Sequence, residues 1–149
     1  MKSSIRSFVL AAIAAVATAG FAHSASAQVF SSTAANDHQL GGGAVASTMV
    51  LYLPYAGPYM ITGQQMVFNT GNQPEFVYCW ISTTNGSTSS VPYGPLSGGV
   101  IPVGGVATFP LGGSYTASGP VDLWVVCRNS SAAGTSAFTT VGNITANYY

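Results

Sequence analysis

The sequence predicts an all-β protein, an antiparallel β-sandwich of about seven or eight strands with a jelly-roll outline, set behind an N-terminal signal peptide. Three observations carry that expectation. No helical apolar period persists after residue 28. Gly, Pro, Ser, Thr and Asn interrupt the chain too often for helices, and β-branched and aromatic residues fill the segments between them. Two of those segments each carry one cysteine in an otherwise apolar alternation.

In chain order, Gln28 to Gly43 is polar, ends in Gly41-Gly42-Gly43, and reads as a flexible lead-in to a sandwich domain over 44–149. Ala44 to Leu53 (AVASTMVLYL) is a first strand, closed by Pro54 and Gly57-Pro58. Tyr59 to Phe68 (YMITGQQMVF) is a second, with Gly63 marking an expected bulge. Glu75 to Thr83 (EFVYCWIST) follows the turn Asn69–Pro74, and Asn85-Gly86 signals a hairpin whose return strand is Ser87 to Tyr93. Pro92, Pro95, Pro102 and Pro110 among paired glycines imply short edge strands, with Gly105 to Leu111 the strongest, because proline cannot donate to a central ladder. Val121 to Arg128 (VDLWVVCR) is a central strand, Asn129 to Gly134 a loop, and Ser136 to Tyr149 a long terminal strand.

The N-terminus has the order of an export signal. Lys2 and Arg6 precede an apolar run from Phe8 to Ala22, and Ala25-Ser26-Ala27 supplies the small residues of a cleavage site after Ala27. The run is about 15 residues, short of the roughly 20 needed to span a bilayer. The expected mature chain starts at Gln28, holds no integral membrane segment, and is secreted or periplasmic.

Removing that signal leaves Arg128 as the one Lys or Arg, against Asp37, Glu75 and Asp122. A partner that must have its phosphates neutralised needs several cations, so nucleic acid is excluded. A polybasic membrane anchor is excluded on the same ground. The two cysteines, Cys79 and Cys127, form an even set in an exported chain and are expected to make one disulfide. The bridge would close a loop of about 49 residues, worth roughly 4 kcal/mol on the loop-entropy account.

Strand alternation assigns faces. With Cys79 inward, Val77 and Ile81 point inward while Phe76, Tyr78 and Trp80 point out. With Cys127 inward, Leu123 and Val125 follow it, and Trp124, Val126 and Arg128 oppose it. The expected picture is two apolar inner faces joined by the disulfide. Tyr78, Trp80 and Trp124 then either form an aromatic surface for a glycan or protein partner, or are covered by loops.

Catalytic patterns are not found. His38 is the one histidine of the mature chain, beside Asp37, and adjacent residues on an extended segment point apart. No Gly-x-Ser-x-Gly elbow occurs. Glu75 and Asp122 open strands and read as solvated strand-end charges, and Arg128 as an edge charge or a partner for one of them, or else as a ligand contact. Two Cys and one His make no metal set, so no metal, cofactor or catalytic residue is expected.

The second half, from Phe76 to Tyr149, resembles small bacterial exported β-sandwich proteins whose jelly-roll outline is similar to the tumour-necrosis-factor/C1q-like fold. The resembling features are Val77-Tyr78-Cys79-Trp80, the run Gly104-Gly105-Val106-Ala107-Thr108-Phe109, the second cysteine strand Val121–Cys127, and the closing Asn143-Ile144-Thr145-Ala146. A looser resemblance is to chaperone–usher pilins, including spore coat protein U-like ones, through export, a disulfide and the terminal Tyr148-Tyr149. Gln28 to Gly43 departs from it, because Asp37-His38 interrupts the apolar alternation that a donor strand needs. The resemblances imply fold and no catalytic residue. The expected function is therefore a non-enzymatic structural or surface-assembly role that uses self-association. The alternatives are an extracellular module for a carbohydrate or protein ligand, and a pilin-like subunit.

Overall fold

The computed structural model describes residues 27–35, 37–41, 43, 45–86, 93–130 and 137–149, with Tyr93 described by its backbone alone. Apart from Ala27, the expected signal peptide lies outside these residues. So do most of the return strand expected over Ser87–Tyr93 and part of the loop expected over Asn129–Gly134.

The described residues form nine strands and no helix: β1 Gln28–Ala34, β2 His38–Leu40, β3 Val45–Leu53, β4 Gly57–Asn69, β5 Glu75–Ser82, β6 Tyr93–Ile101, β7 Val106–Ala117, β8 Val121–Asn129 and β9 Ala137–Tyr148. One sheet runs β1-β9-β4-β7, with β2 also pairing β9; the other runs β3-β8-β5-β6, and all pairings are antiparallel. From β2 onward only the β5–β6 connection stays within a sheet. The chain therefore shuttles between two sheets and buries one face of each against the other, as a jelly roll does.

The lead-in expected over 28–43 contributes two strands. β1 lies along β9 with Gln28 opposite Tyr148, and β2 continues the same edge with Leu40 opposite Ala137. Its polarity is that of an edge strand with one inward side: Phe30 and Ala34 pack on the core and Leu40 is fully buried. The prolines Pro95 and Pro110 lie inside β6 and β7, which are edge strands, as the missing N–H requires.

The core faces follow the alternation. Val77, Cys79 and Ile81 on β5 and Leu123, Val125 and Cys127 on β8 are all buried. Ile61, Val67, Phe109, Leu111 and Ile144 meet them from the other sheet. The disulfide Cys79–Cys127 is present, but it does not join the two sheets. The cysteines are directly opposite on neighbouring strands of one sheet, with their Cα atoms 4.1 Å apart.

Gly63 is not a bulge: β4 stays in register with both β7 and β9 through it. Glycine is needed there because a Cβ would run into the Asn143 carbonyl oxygen on β9. The irregularities fall elsewhere, at Thr48 on β3, where β9 passes Gln65 on β4, and on β6 between Tyr93 and Ser97. At one end of the sandwich, Asn69 is fully buried and its Nδ2 donates to the carbonyls of Gln73 (2.8 Å) and Ile101 (3.1 Å), tying β4 to the end of β6.

Candidate binding surface

The outer face of the β3-β8-β5-β6 sheet holds every aromatic residue that alternation turned outward on β5 and β8. Its rows follow from the register. Val50, Trp124 and Ser82 make one row; Ser47, Val126 and Trp80 the next; Val45, Arg128, Tyr78 and Gly98 the third; Phe76 and Val100 the fourth. Along β5 the rings form a ladder, with centroids 5.8 Å apart from Phe76 to Tyr78 and 6.0 Å from Tyr78 to Trp80. Beside Tyr78 the sheet must be glycine: a Cβ on Gly98 would lie 2.5 Å from the Tyr78 Cβ.

The three predicted surface residues differ in accessibility. Tyr78 and Trp124 are half-buried, while Trp80 is only 5% exposed. Trp80 points away from the core and is nevertheless covered, as is its neighbour Val126. The turn after β5 explains the difference. Ser82 Oγ accepts from the Thr84 N–H at 3.0 Å. Gly86, at φ +54°, then donates its N–H to Ser47 Oγ on β3 at 2.7 Å. That bond carries the turn from β5 across β8 to β3, over the row that contains Trp80 and Val126.

Phe76, which the sequence reading did not select, is the exposed ring of the ladder at 43%. Arg128 is neither at an edge nor paired with an acid, contrary to expectation. It sits on β8, between β3 and β5, and among the described residues it has no ion pair. Its Nε is buried without a hydrogen-bond partner, and so is the indole Nε1 of Trp80. Glu75, expected to be solvated, is 5% exposed and its Oε2 lacks a hydrogen-bond partner. Strand register explains its burial, because Glu75 shares the inward side of β5 with Val77.

The acids are kept apart. Asp122 and Glu75 lie at opposite ends of the β5–β8 pair, and Asp37 lies between β1 and β2 of the other sheet. Among the described residues no three His, Cys, Asp or Glu side chains gather into a possible metal site. No described helix is long and apolar enough to cross a membrane.

A second feature lies where the two sheets end together. Leu96 and Val100 on β6, Val103 in the following turn and Val106 at the start of β7 are all more than half exposed. From Phe76 to Val121 the chain has no charged residue. This apolar side was signalled in the sequence by the spacing of those residues among Gly and Pro, which marks strands without marking which side faces water.

No family model matches the chain, and no curated protein matches it. Solved structures do. The VP2 subviral particle of infectious bursal disease virus is similar with a TM-score of 0.58 at 12% identity, over 84% of this chain and 33% of that one. The chain thus spans about a third of the length of the VP2 chains it matches. Eiger TNF from S. frugiperda is similar with a TM-score of 0.56 at 7% identity, over 83% of this chain and 92% of that one. The globular domain of the zebrafish complement 1qA protein is similar with a TM-score of 0.52 at 7% identity, over 82% and 96%. At these identities the likeness is one of fold.

Proposed function

We propose that this chain is an exported, non-enzymatic structural protein that assembles with copies of itself through the β6–β7 side of the sandwich. The carrying observation is that side itself: two edge strands bearing the exposed Leu96, Val100, Val103 and Val106, with no charge anywhere from Phe76 to Val121. Sheet edges normally discourage pairing with charged side chains. Here prolines and the register shift on β6 between Tyr93 and Ser97 interrupt the edges without charging them, which leaves apolar surface free to meet a partner. The shared outline with VP2, whose structure is that of a subviral particle, supports this reading.

Export supports the same reading. A disulfide is the mark of an oxidising compartment. The first strand begins at Gln28, immediately after the expected cleavage site, so removal of residues 1–27 would leave the sandwich whole. Mass spectrometry of exported protein should find Gln28, or its cyclised form, at the N-terminus; an intact Met1 chain held in the membrane refutes export.

Light scattering on eluting protein across a concentration series tests assembly. The expected result is species that grow with concentration, and a monomer once Leu96→Lys and Val106→Lys are introduced. A monomer at every concentration in the unaltered protein overturns the proposal. The second reading, a ligand-binding module, is favoured by Arg128, without an ion pair among the described residues, and the exposed Phe76 on the outer face of the β3-β8-β5-β6 sheet.

A further inference from the structure

We infer that the outer face of the β3-β8-β5-β6 sheet is a binding site for a carboxylate-bearing polysaccharide, with Arg128 meeting the carboxylate and Phe76 and Tyr78 meeting sugar rings. The site does not depend on self-assembly.

The argument begins with Arg128. Arg128 is half-buried on the sheet face and pairs with no carboxylate among the described residues, so the partial desolvation of its guanidinium is not offset by an ion pair there. Its Nε is buried and unpartnered, while the residue as a whole stays partly exposed. A carboxylate is the ligand that this geometry accepts best, because the planar fork can donate two parallel hydrogen bonds to it. The three acids of the protein cannot serve. Asp122 is six residues along the same strand, Glu75 faces inward, and Asp37 belongs to the other sheet.

The second observation is Trp80. It is more than nine-tenths buried on the same face, in the row next to Arg128, and its Nε1–H also lacks an acceptor. Being covered, Trp80 does not itself meet a ligand; it backs the Tyr78 ring, whose centroid is 6.0 Å away, and so fixes the outer surface beside Arg128.

The surroundings select the ligand class. Arg128 is a single cation, so a polymer carrying phosphate or sulfate at every unit has nothing further to pair with. Its immediate neighbours are Tyr78 across the register, Val45 on the other side, and Gly98 beyond Tyr78. Phe76 and Tyr78 offer ring faces and edges about one strand repeat apart, with centroids separated by 5.8 Å. Such rings suit the C–H faces of sugars, and the Tyr78 hydroxyl can bond a sugar hydroxyl. One carboxylate flanked by apolar ring faces and hydroxyls is a uronic acid within a chain. An acidic peptide offers the carboxylate without the flat faces.

Calorimetric titration of the exported, disulfide-bonded protein with an oligogalacturonate tests this. The comparison probes are the same oligomer fully methyl-esterified and a polyglutamate of similar length. The acidic oligomer is expected to bind about tenfold or more tightly than its ester, the loss that one charge-assisted hydrogen bond represents. Arg128→Gln should bring the acidic oligomer down to the level of the ester. Arg128→Lys, which keeps the charge and loses the fork, should fall between. Phe76→Ala, at the exposed ring of the ladder, should weaken acid and ester alike, with the fold checked by its thermal melt. Equal affinity for acid and ester, or no detectable binding of either, overturns the proposal. Binding of polyglutamate as tight as that of the oligogalacturonate also overturns it, and gives the face to an acidic protein partner.

Discussion

Thr48 on β3 and Gln65 on β4 meet across the core, with the Thr48 hydroxyl donating to Gln65 Oε1 at 2.9 Å. Both are buried, and they come from opposite sheets. Each stands at a register shift: Thr48 is the extra residue between Ser47 and Met49, and β9 bulges where it passes Gln65. Alternation turns Gln65 to the same inward side of β4 as Ile61 and Val67, and Thr48 at the β3 bulge faces it, so the two polar side chains satisfy one another. Gln65 Nε2 completes the set by donating to the Met66 carbonyl at 3.0 Å, and Gly142 leaves room for the amide, since a Cβ there would lie 2.6 Å from Oε1.

That pair makes the first prediction. Thr48→Val keeps the shape and removes the donor, so Gln65 Oε1 is left buried and unsatisfied at a cost of about 1–3 kcal/mol. Gln65→Met in the same background should recover most of the loss, because removing both partners leaves no orphan. Denaturant unfolding of the two single variants and the double one measures the coupling. Additive losses would show that the two groups do not act as a pair.

The second prediction concerns the turn over the outer face. If the Gly86–Ser47 bond holds the turn down, Ser47→Ala should raise the quenching of Trp80 fluorescence by acrylamide. Stability should fall by no more than about 1.5 kcal/mol, the usual range for one hydrogen bond. A Trp124→Phe background isolates the Trp80 signal. Trp80→Ala should cost about 3–5 kcal/mol, as for a buried large side chain. Trp124→Ala, at a half-buried ring, should cost less. Unchanged quenching in the Ser47 variant would mean that something else covers Trp80.

The reach of the sequence is visible in these same residues. Strands around Cys79 and Cys127 were legible because every second residue is apolar, and the alternation placed Val77, Ile81, Leu123 and Val125 inside. Outward direction was legible for Trp80, but burial was not, because what covers it is a turn fixed by one distant hydrogen bond to Ser47. Alternation through Ile61 and Val67 puts Gln65 on the inward side of β4, but nothing local showed what satisfies a buried amide; its partner Thr48 and the bulge on β9 lie elsewhere in the chain. Gln28 to Leu40 looked like a lead-in because an edge strand needs few apolar residues. Here Phe30 and Leu40 suffice to dock it. Glu75 was misplaced because a carboxylate at a strand start is usually solvated, whereas this one follows the inward side of β5.

A third prediction follows from the bridge lying within one sheet. Non-reducing peptide mapping should find Cys79 linked to Cys127. Replacing both with Ala should lower stability by up to about 4 kcal/mol, the loop-entropy limit. The fold should persist, because β5 and β8 are also joined by their ladder. Retention of the full stability would show that the unfolded chain is already restricted without the bridge.

The last prediction is an alkaline one. Tyr59 is fully buried at the end of the sandwich where Phe30, Tyr55 and Tyr148 gather, its ring centroid 5.1 Å from that of Tyr148. Its hydroxyl donates to the Tyr55 carbonyl at 2.9 Å and accepts from the Tyr55 N–H at 3.2 Å. Burial disfavours the phenolate and raises the Tyr59 pKa above the ordinary 10.0, while the bond to the Tyr55 backbone pulls the other way and only partly offsets it. The unfolded chain therefore releases this proton at a lower pH than the folded one. Above about pH 10 the unfolded state binds fewer protons, so the stability associated with the neutral phenol is complete below that pH and is lost as pH climbs through the folded value. In a spectrophotometric titration Tyr59 should ionise late, in a step that coincides with unfolding. Tyr59→Phe should remove that late step and flatten the alkaline fall in stability, at the cost of both hydrogen bonds to Tyr55 at neutral pH. An unaltered late step in the Phe variant would assign it to another tyrosine.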